Sequence, residues 1–532
     1  MRIEALLEAR VEKTPAKPFL TFPETGYSYE ETAAESKRYA NALSSLGVEA
    51  GDAVGVFLPN CPEFLFLMFA NGYLDGVTAP SNPEYKPDEL RHSLELSRPE
   101  LLVTTPDLLD VAEKAVEGTS VGRILTTEAV GDYESLPALA ADESTEITDH
   151  DGDDTSVGLH MYTSGTTGPP KAVECQHENW TLSAIDFQKR MGLTHEDTLF
   201  TALPLFHANA QIYSTLGAAA AGAEVVVYER FSSSRWWDWC REHDVTEFNA
   251  MGSMLKMLDN VAESPDDSEN PVDLVFSAGT PPELIEPFEE RFGLRVVEGY
   301  SLTEDPLLML NPTDPEKRRI GSIGLPPAEK RIKVVDDDGD PVPLGEKGEI
   351  IQNCPALMAG YHRQPDKTAE AVHDGWFYTG DYGKLDEDGF VYFLDRKKDI
   401  VRRAGENISS YEVEGVIKAL DAVDEVAVIP SPDEFYTEVV KALVRVKEGH
   451  ELTEAEVVET CREHLASFKV PRYIEFVEEF PYTPTGKIQK QKLRTREKEE
   501  ELSHWDRESE SESDSGSGSD SDLSSASEEA DR

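Results

Sequence analysis

The sequence predicts an α/β protein with a large N-terminal domain of parallel, helix-covered sheets plus a β-rich subdomain, and a small, mobile α+β C-terminal domain. Three observations support this prediction. From about residue 27 to 300, segments of helical period alternate with short apolar runs. After about residue 320, short strands and tight turns follow, and beyond residue 396 helical and strand patterns mix again. Alternating helices and strands favour a parallel sheet with covering helices.

The N-terminal elements follow one another in a regular order. The start, MRIEALLEARVEK, has the pattern of an acidic amphipathic helix and lacks the basic flank and apolar run of a signal peptide. The alternating segments are SYEETAAESKRYANALSSLG, AVGVFLP, CPEFLFLMFANGYLDG, AEVVVYE and DLVFSAG. No apolar stretch approaches about 18 residues, so we expect no integral membrane segment. We therefore expect a cytoplasmic protein.

The C-terminal third changes in texture. The segments KVVDDDGDPVPLGEKGEI and DEDGFVYFLDR predict antiparallel strands joined by tight turns, in a β-rich subdomain at about 320–396. We place the domain boundary at residue 396, so that 1–396 form the large domain and 397–496 form the α+β domain. The acidic, serine-rich residues 497–532 cannot bury enough apolar area to order themselves. A docking segment for a basic partner is the alternative for this tail.

Charge excludes some function classes. The 532 residues include 104 acidic and 50 basic side chains, for a net charge of −54. Such a chain repels phosphates, so we expect no nucleic-acid partner. The acidity is spread along the body, and its self-repulsion is strongly screened only near molar salt, where the Debye length is about 3 Å. We hypothesise a halophilic, salt-adapted protein. Its five widely spaced cysteines predict reduced structural thiols.

A loop rich in glycine and threonine is the first candidate site. The segment MYTSGTTGPPK, Met161 to Lys171, follows the predicted strand VGLHM and precedes a helical stretch that begins near His177. Backbone N–H groups, hydroxyls and an ammonium in such a loop can surround phosphates. It is not a GxxxxGK[ST] loop, because Pro170 precedes Lys171 and Ala172 follows it. The candidate phosphate ligands are Thr163, Ser164, Gly165, Thr166, Thr167, Gly168 and Lys171.

The full string resembles the TSGTTGxPK signature of the adenylate-forming superfamily, which includes acyl-CoA synthetases, luciferase-like enzymes and peptide-synthetase adenylation domains. The resemblance continues in order to about residue 490. Its further motifs are LPLFH (203–207), SAGTPP (277–282), EGYSLTED (298–305), YTGD (378–381), DRKKDIVRRAGENISSYEVE (395–414), FKVP and PYTPTGK, which ends at Lys487. Within the superfamily, the texture is most similar to carnitine/crotonobetaine–CoA ligases and fatty-acyl-CoA ligases.

The resemblance implies a nucleotide site in residues 1–396, the AMP-binding domain. Tyr300 offers a flat face to a purine and Gly279 permits close approach on the other side. A half-buried core tyrosine is the alternative. Glu304 is a hard oxygen ligand suited to Mg²⁺, and Thr303 can donate to a phosphate oxygen. The candidate nucleotide-binding residues of the two loops are Gly279, Thr280, Pro281, Glu298, Gly299, Tyr300 and Ser301.

Three further implied features lie near the boundary. Asp381 can accept hydrogen bonds from both ribose hydroxyls, and Arg396 adds donors to the same sugar. Lys398 occupies the hinge position about which the C-terminal domain swings. Gly405, Glu406 and Asn407 line a pantetheine channel for CoA.

Lys487 is the candidate catalytic residue of the C-terminal domain. A positioned ammonium between a substrate carboxylate and the α-phosphate lowers the repulsion between two anions. The alternative is a surface lysine, and the register of PTGK with the other motifs argues against it.

The residues at the implied acyl site carry no acid. The resemblance implies that His207 is a movable side chain beside the acyl group, and we assign it a binding role; a core or gating histidine and an acid or base are the alternatives. The other candidates are Asn209, Gln211, Met251 and Gly252. Small, uncharged side chains in segments 208–211 and 250–253 favour an elongated neutral acyl chain, whereas a trimethylammonium group would gain from an anion or an aromatic cage.

The resemblance implies an ATP-dependent, AMP-forming acyl-CoA synthetase that uses ATP, Mg²⁺ and coenzyme A. A fatty or other small-to-medium carboxylic acid forms acyl-AMP and pyrophosphate, and the CoA thiol then displaces AMP. Two alternatives stay open: transfer of the acyl group to a non-CoA acceptor, and a catalytically silent nucleotide or acyl-CoA sensor. A homodimer is also left open.

Overall fold

The structure, a computed structural model, describes residues 1–147, 152–163, 170–397, 399–403, 406–433, 436–482, 487–499 and 505–507. The chain divides into two compact units. Unit 1 comprises residues 1–393 and 484–487, and unit 2 comprises residues 394–483 and 488–532. Unit 1 therefore ends three residues before the boundary expected at Arg396. Lys487 groups with unit 1, although it is distant in sequence from residues 1–393.

Unit 1 contains an eight-stranded sheet whose inner pairs are parallel and whose two outermost pairs are antiparallel. In spatial order its strands are Asp305–Leu310, Arg295–Leu302, Leu274–Ala278, Glu247–Met251, Thr198–Thr201, Glu224–Val227, Pro18–Phe22 and Thr25–Ser28. Val225 and Val275 are fully buried, as expected for central strands covered on both faces. The predicted strands AEVVVYE and DLVFSAG are confirmed.

A second sheet of unit 1 has seven strands and carries the glycine- and threonine-rich segment. In spatial order its strands are Gly360–Tyr361, Lys171–Gln176, Val157–Thr163, Val77–Pro80, Ala53–Phe57, Leu101–Thr104 and Arg123–Thr126. The pairs from Val157–Thr163 onward are parallel, whereas the first two pairs are antiparallel. The predicted strand VGLHM is confirmed. It forms a hairpin with Lys171–Gln176, so the two ends of the candidate phosphate loop lie side by side.

Helices cover these sheets. In chain order they are Ile3–Val11, Tyr29–Ser45, Pro62–Leu74, Pro87–Ser97, Leu109–Val116, Leu136–Ala140, His177–Met191, Gly217–Ala221, Trp236–Glu242, Gly252–Asp259, Pro282–Phe292 and Pro365–Ala371, with a 3₁₀ turn at Pro106–Leu108 and a π-helical segment at Ala210–Leu216. A capping box between Ser28 and Glu31 starts the second helix. Helix Pro62–Leu74 is apolar on nearly all sides because it is buried within the core.

The β-rich subdomain expected at about 320–396 is antiparallel, as predicted. Its strands are Arg331–Val335, Gly348–Asn353, Trp376–Leu385, Val372–His373 and Val391–Arg396. Short turns join Val372–His373 to Trp376–Leu385 and Trp376–Leu385 to Val391–Arg396. Gly339, in the connection between Arg331–Val335 and Gly348–Asn353, has a φ of +85°. Such a φ favours glycine, which is why DDDGD is a turn signal.

Unit 2 is an α+β fold. Its strands are Val401–Arg403, Glu406–Ile408, Val423–Asp433, Thr437–Val446, Tyr473–Phe476 and Trp505–Asp506, and its helices are Ser410–Lys418, Glu454–His464 and Lys490–Glu499, with a 3₁₀ turn at Ser467–Lys469. The strand Thr437–Val446 lies at the centre of the sheet, and the long strand Val423–Asp433 pairs antiparallel with it. Val428, Val444 and Ile417 form part of a separate apolar core.

The expected unordered tail begins later than residue 497. Glu497 lies in the helix Lys490–Glu499, pairs with the buried Lys441 and accepts a hydrogen bond from Ser431 at 2.7 Å. Trp505–Asp506 extends the sheet beside Tyr473–Phe476, with Trp505 packed on the core of unit 2. The prediction is therefore wrong for these residues, because a buried lysine and an uncovered core offer them partners. Residues 500–504 and 508–532 lie outside the described chain.

Two other expectations concern the whole chain. All five cysteines are free thiols in the structure, and their reduced state in the cell stays a prediction. Within the described ranges, no helix has both the length and the apolar character needed to cross a membrane.

Candidate active site

A buried carboxylate shapes the turn that begins the SAGTPP loop. Glu298 accepts hydrogen bonds from the backbone N–H of Gly279 at 3.2 Å and of Thr280 at 2.8 Å. Burial raises the pKa of Glu298 to about 7, although these hydrogen bonds oppose the rise. Both carboxylate oxygens are thus engaged with the turn, and a direct contact between Glu298 and a nucleotide stays a prediction.

The same turn lies against the first residue of helix Gly252–Asp259. A Cβ atom added to Gly252 would lie 2.1 Å from the carbonyl oxygen of Gly279 and 2.7 Å from the Cα of Thr280. Met251 precedes Gly252 and pairs with Ala278 across neighbouring strands. The structure therefore brings two candidate acyl-site residues into contact with the candidate adenine loop, and only glycine leaves room for this approach.

The candidate purine-stacking tyrosine and the candidate ribose ligand are direct partners. Tyr300 donates a hydrogen bond from Oη to Asp381 Oδ2 at 2.6 Å. Tyr300 is half-buried and packs against the cluster of Met309, Ile350 and Val391. Asp381 is only 2% exposed, and its N–H donates to Thr379 at 3.0 Å. The candidate purine-stacking residue and the candidate ribose ligand are thus adjacent within unit 1.

A lysine, a tyrosine and a glutamate form a second cluster. Tyr361 donates a hydrogen bond from Oη to Glu304 Oε1 at 2.9 Å, and the ammonium of Lys171 lies 3.6 Å from the centre of the Tyr361 ring. Burial lowers the pKa of Lys171, and the charge of Glu304 opposes this. Thr303 and Glu304 form the two-residue turn between Arg295–Leu302 and Asp305–Leu310. A hard oxygen ligand therefore lies beside a cation.

Tyr361 is a residue that the sequence analysis missed. It lies in a two-residue strand, Gly360–Tyr361, and pairs with Val173, so the sheet brings it close to Lys171. The letters GYH around it carry no phosphate- or metal-binding pattern. Its place in the sequence, 57 residues after Glu304, does not predict a contact.

The candidate phosphate loop is described at its two ends. Thr163 is the last residue of its strand and pairs with Lys171. Among the described residues, the buried Oγ1 of Thr163 has no hydrogen-bond partner. Ser164, Gly165, Thr166, Thr167 and Gly168 lie outside the described residues.

The candidate acyl gate is a neutral histidine. Burial lowers the pKa of His207 to about 4, with a further lowering from the positive charge of Lys487. Within the described part of the chain, the buried Nε2 of His207 has no hydrogen-bond partner. Its ring lies 4.3 Å from that of Phe206, between centres. At neutral pH this side chain is therefore uncharged.

The helix after His207 begins with a π-helical segment, Ala210–Leu216, in which Gln211 is fully buried. The side chain of Gln211 accepts from Trp180 Nε1 at 3.0 Å and donates to the carbonyl oxygen of Leu205 at 2.7 Å. The amide of Gln211 thus forms buried hydrogen bonds that hold the π-helical segment against Trp180 and Leu205. Asn209 is half-buried one residue before the π-helical segment.

Lys487 groups with unit 1. Its positive charge acts to lower the pKa of both His207 and Glu298. The candidate catalytic cation therefore lies within electrostatic range of the candidate acyl gate and of the carboxylate that holds the adenine loop.

Four other candidates of unit 1 have structural partners. Thr280 lies 2.7 Å from Ser277, measured between hydroxyl oxygens, and Pro281 precedes helix Pro282–Phe292. Ser301 Oγ lies 3.0 Å from Tyr213 Oη. A Cβ on Gly299 would lie 2.8 Å from the ring of Phe276, so this glycine provides space for core packing.

The remaining candidates belong to unit 2. Arg396 ends the strand Val391–Arg396, and Glu406 and Asn407 lie in the strand Glu406–Ile408. Lys398 and Gly405 lie outside the described residues. The ribose role of Arg396, the hinge role of Lys398 and the pantetheine channel at 405–407 stay predictions.

Two family models match the chain. The model described as AMP-binding enzyme matches residues 7–362, and the model described as AMP-binding enzyme C-terminal domain matches residues 412–487. Among curated relatives, sulfoacetate–CoA ligase of Cupriavidus necator is 33% identical over 503 residues, which covers 92% of this chain and 97% of the relative. Crotonobetaine/carnitine–CoA ligase of Salmonella typhimurium is 31% identical over 492 residues, with 88% and 93% covered.

Solved structures are similar over nearly the whole chain. ATP-bound MatB from Rhodopseudomonas palustris superposes with a TM-score of 0.87 at 28% identity, covering 94% of this chain and 99% of the other. The o-succinylbenzoate CoA synthetase of Bacillus subtilis, in complex with ATP and magnesium ion, has a TM-score of 0.81 at 27% identity, with 92% and 99% covered.

Proposed function

We propose, for a chain that belongs to the AMP-binding enzyme family, that the acid it activates carries an uncharged acyl group of small to medium length, fatty acids included. The protein is an ATP-dependent acyl-CoA ligase of the AMP-forming type, and its relatives and structural neighbours are CoA ligases. It uses ATP, Mg²⁺ and CoA. The proposal concerns which acid it uses and which residues act on it.

The observation that carries the substrate proposal is the absence of charge from the acyl-site segments. Residues 204–211 and 250–253 contain no Asp, Glu, Lys or Arg. The one titratable side chain among them, His207, has a pKa lowered to about 4 by burial. A substrate whose acyl group carries a second charge would lose hydration at this site without gaining an oppositely charged partner. The relatives named for sulfoacetate and for carnitine act on acids that do carry a second charge, so we expect this chain to differ from them.

In the first half-reaction, a carboxylate oxygen of the acid attacks the α-phosphorus of ATP, and the bond to pyrophosphate breaks. Repulsion between the two anions opposes this approach, and the ammonium of Lys487 would lower it. Tyr300 and Asp381 would hold the purine and ribose, since they lie adjacent to each other. Thr163 and Lys171, paired across the hairpin, would contact the phosphates.

Glu304 is the residue that would hold Mg²⁺. Protein magnesium sites commonly use one or two carboxylates together with substrate phosphates, and Glu304 lies at a hairpin tip beside Lys171. When bound, Mg²⁺ neutralises phosphate charge and orients the leaving pyrophosphate. Tyr361 fixes the Glu304 carboxylate by its hydrogen bond, and Thr303 in the same turn would donate to a phosphate oxygen.

In the second half-reaction, the CoA sulfur attacks the acyl carbon and AMP leaves. The attack needs no dedicated protein base, because the thiol has a pKa of about 8.5 and the acyl-AMP is an activated mixed anhydride. Gly405, Glu406 and Asn407 would line the pantetheine channel, and Lys398 would be the hinge. His207 would act as a neutral side chain beside the acyl group.

A panel of carboxylic acids, scored for pyrophosphate release and for CoA thioester, tests this proposal. We expect unbranched acids with neutral tails to give both products, and sulfoacetate and carnitine to give neither above background. Preference for a charged acid would overturn the substrate proposal. Pyrophosphate release without thioester would instead favour a non-CoA acceptor, and the absence of both products from every acid would favour a sensor.

We also propose that the protein is salt-adapted and works in a reducing cytoplasm. The proposal is supported by the net charge of −54 spread along the chain and by five free cysteines. Activity and thermal unfolding measured against KCl concentration test it. Full activity and stability in dilute buffer would contradict salt adaptation. Sedimentation at the active salt concentration decides between a monomer and the homodimer left open above.

A further inference from the structure

Three neighbouring strands of unit 1 place a pair of histidines around a glutamate. His160 of strand Val157–Thr163 pairs with Glu174 of strand Lys171–Gln176, and Glu174 in turn pairs with Gly360 of the next strand. His362 comes directly after that strand, two residues beyond Gly360, which brings it to the same face of the sheet as Glu174. The ring centres of His160 and His362 are 4.2 Å apart.

One side-chain donor atom from each of these three residues lies within 4.8 Å of the other two. His362 Nδ1 is 2.7 Å from Glu174 Oε1. In the described part of the chain, the buried Nδ1 of His160 has no hydrogen-bond partner, and this residue is only 4% exposed. An unpartnered ring nitrogen inside a protein carries a desolvation cost unless something binds it.

The types of donor atom suit a metal ligand set. Two imidazoles and one carboxylate are a ligand set typical of Zn²⁺, whereas Mg²⁺ prefers oxygen ligands alone.

We propose that His160, Glu174 and His362 form a binding site for a borderline divalent metal of the Zn²⁺ class, separate from the Mg²⁺ position at Glu304. Bonds of about 2.0 Å in a tetrahedron place ligand atoms about 3.3 Å apart. Donor atoms at the 4.8 Å limit would need to approach by about 1.5 Å, whereas the Glu174 and His362 atoms that lie 2.7 Å apart would separate by about 0.6 Å. The Glu174 and His362 side chains are 27% and 24% exposed, which leaves room for a water as the fourth ligand.

The proposed metal would join three strands that carry active-site candidates. Glu174 lies three residues after Lys171 on one strand, and His362 directly follows Tyr361. A metal bound to all three ligands in the folded chain raises its stability, because the unfolded chain does not hold the ligands together. A metal bound at this site would therefore cross-link three strands beside the candidate phosphate-binding hairpin. Metal binding there can be measured without an acyl-transfer assay.

Co²⁺ binding to the full-length protein tests the proposal. The protein is first treated with a chelator and then titrated with Co²⁺ without ATP, in an excess of Mg²⁺ that occupies the many acidic surface sites. We expect one Co²⁺ per chain, visible d–d bands of a four- or five-coordinate ion, displacement by Zn²⁺ and a rise in the melting temperature. No near-ultraviolet thiolate band should appear, since none of the proposed ligands is a cysteine.

Two single variants and one control make the test specific. Glu174→Gln keeps an acceptor for His362 but loses the anionic ligand, and His362→Gln removes one imidazole at a half-exposed position that can tolerate it. Each should weaken Co²⁺ binding at least about 100-fold, since even the loss of an outer-shell partner costs 10- to 100-fold. His195→Gln, at an exposed histidine, should leave binding unchanged. Wild-type protein that binds no Co²⁺ under these conditions, or equal binding by both variants, would overturn the proposal.

Discussion

Substitution of Gly252 by alanine is the sharpest test of the contact between the candidate acyl site and the candidate adenine loop. A Cβ atom at this position would lie 2.1 Å from the carbonyl oxygen of Gly279 and 2.6 Å from its carbonyl carbon. The neighbouring atoms belong to the backbone, so rotation of a side chain cannot relieve the contact. Either the loop at 279–281 or the start of helix Gly252–Asp259 must move.

The required movement can be read from the structure. A non-bonded carbon–oxygen contact needs at least about 3.0 Å, which is 0.9 Å more than the 2.1 Å available. A displacement of about 1 Å at a substrate-positioning loop can cost about 100-fold in rate, or roughly 2.7 kcal/mol of transition-state stabilisation. The same strain lowers the stability of the fold by about 1–3 kcal/mol. We therefore expect Gly252→Ala to remain folded and to lose about 100-fold in kcat/KM for pyrophosphate release.

Pyrophosphate release at varied ATP, with a thermal melt of each variant, measures both effects. Gly26→Ala is the matched control in unit 1, because a Cβ there makes only ordinary contacts at 3.7 Å and beyond. It should keep wild-type activity. If Gly252→Ala keeps wild-type kcat/KM, the close approach does not position the nucleotide and the reasoning is refuted. If Gly252→Ala does not fold, Gly252→Ser is tested as well. Because serine carries the same Cβ, an equal loss of folding would show that residue 252 must lack a Cβ, without addressing the position of the nucleotide.

Three further predictions follow from the same site. Lys487→Ala should abolish pyrophosphate release yet spare thioester formation from supplied acyl-AMP, and equal loss of both steps would contradict its role in the first half-reaction. Because the pKa of Glu298 is raised to about 7 in the fold, the folded state holds a proton that the unfolded state releases near pH 4.5. Stability should fall by roughly 3 kcal/mol as pH rises from about 4.5 to 7, and Glu298→Gln should remove that slope in urea unfolding. Tyr361→Phe keeps the ring under Lys171 and removes the hydrogen bond to Glu304, so kcat/KM for ATP should drop about 10-fold or more, whereas an unchanged value would show that Tyr361 does not orient that carboxylate.

The expectation for Glu298 shows where sequence reasoning stops. The motif EGYSLTED assigns this residue to a nucleotide site, and that assignment stays a prediction. Its carboxylate, however, accepts two backbone N–H groups of the turn at 279–280 and is buried. The motif indicates the region but not the hydrogen-bond partners of the Glu298 carboxylate. Those partners, Gly279 and Thr280, lie 19 and 18 residues earlier in the chain, so the contact depends on the register of two strands.

Gln211 illustrates the same limit on the acyl side. Its position after LPLFH suggests a pocket residue, but a π-helical segment turns it into the core, where it bonds Trp180 and Leu205. The extra residue per turn in such a segment rotates the following side chains relative to an ordinary helix. No pattern in the sequence indicates that rotation.

The sequence by itself determined the order of helices and strands, the change to antiparallel strands after residue 320, and the chemistry of nucleotide activation, since these depend on local periodicity and on contiguous motifs. Only the tertiary structure decided which distant residues meet: Lys171 with Tyr361 and Glu304, Tyr300 with Asp381, and His160 with Glu174 and His362. The physical reason is that strand register and sheet order set these contacts, and both depend on packing summed over the whole core rather than on any neighbouring residues in the chain.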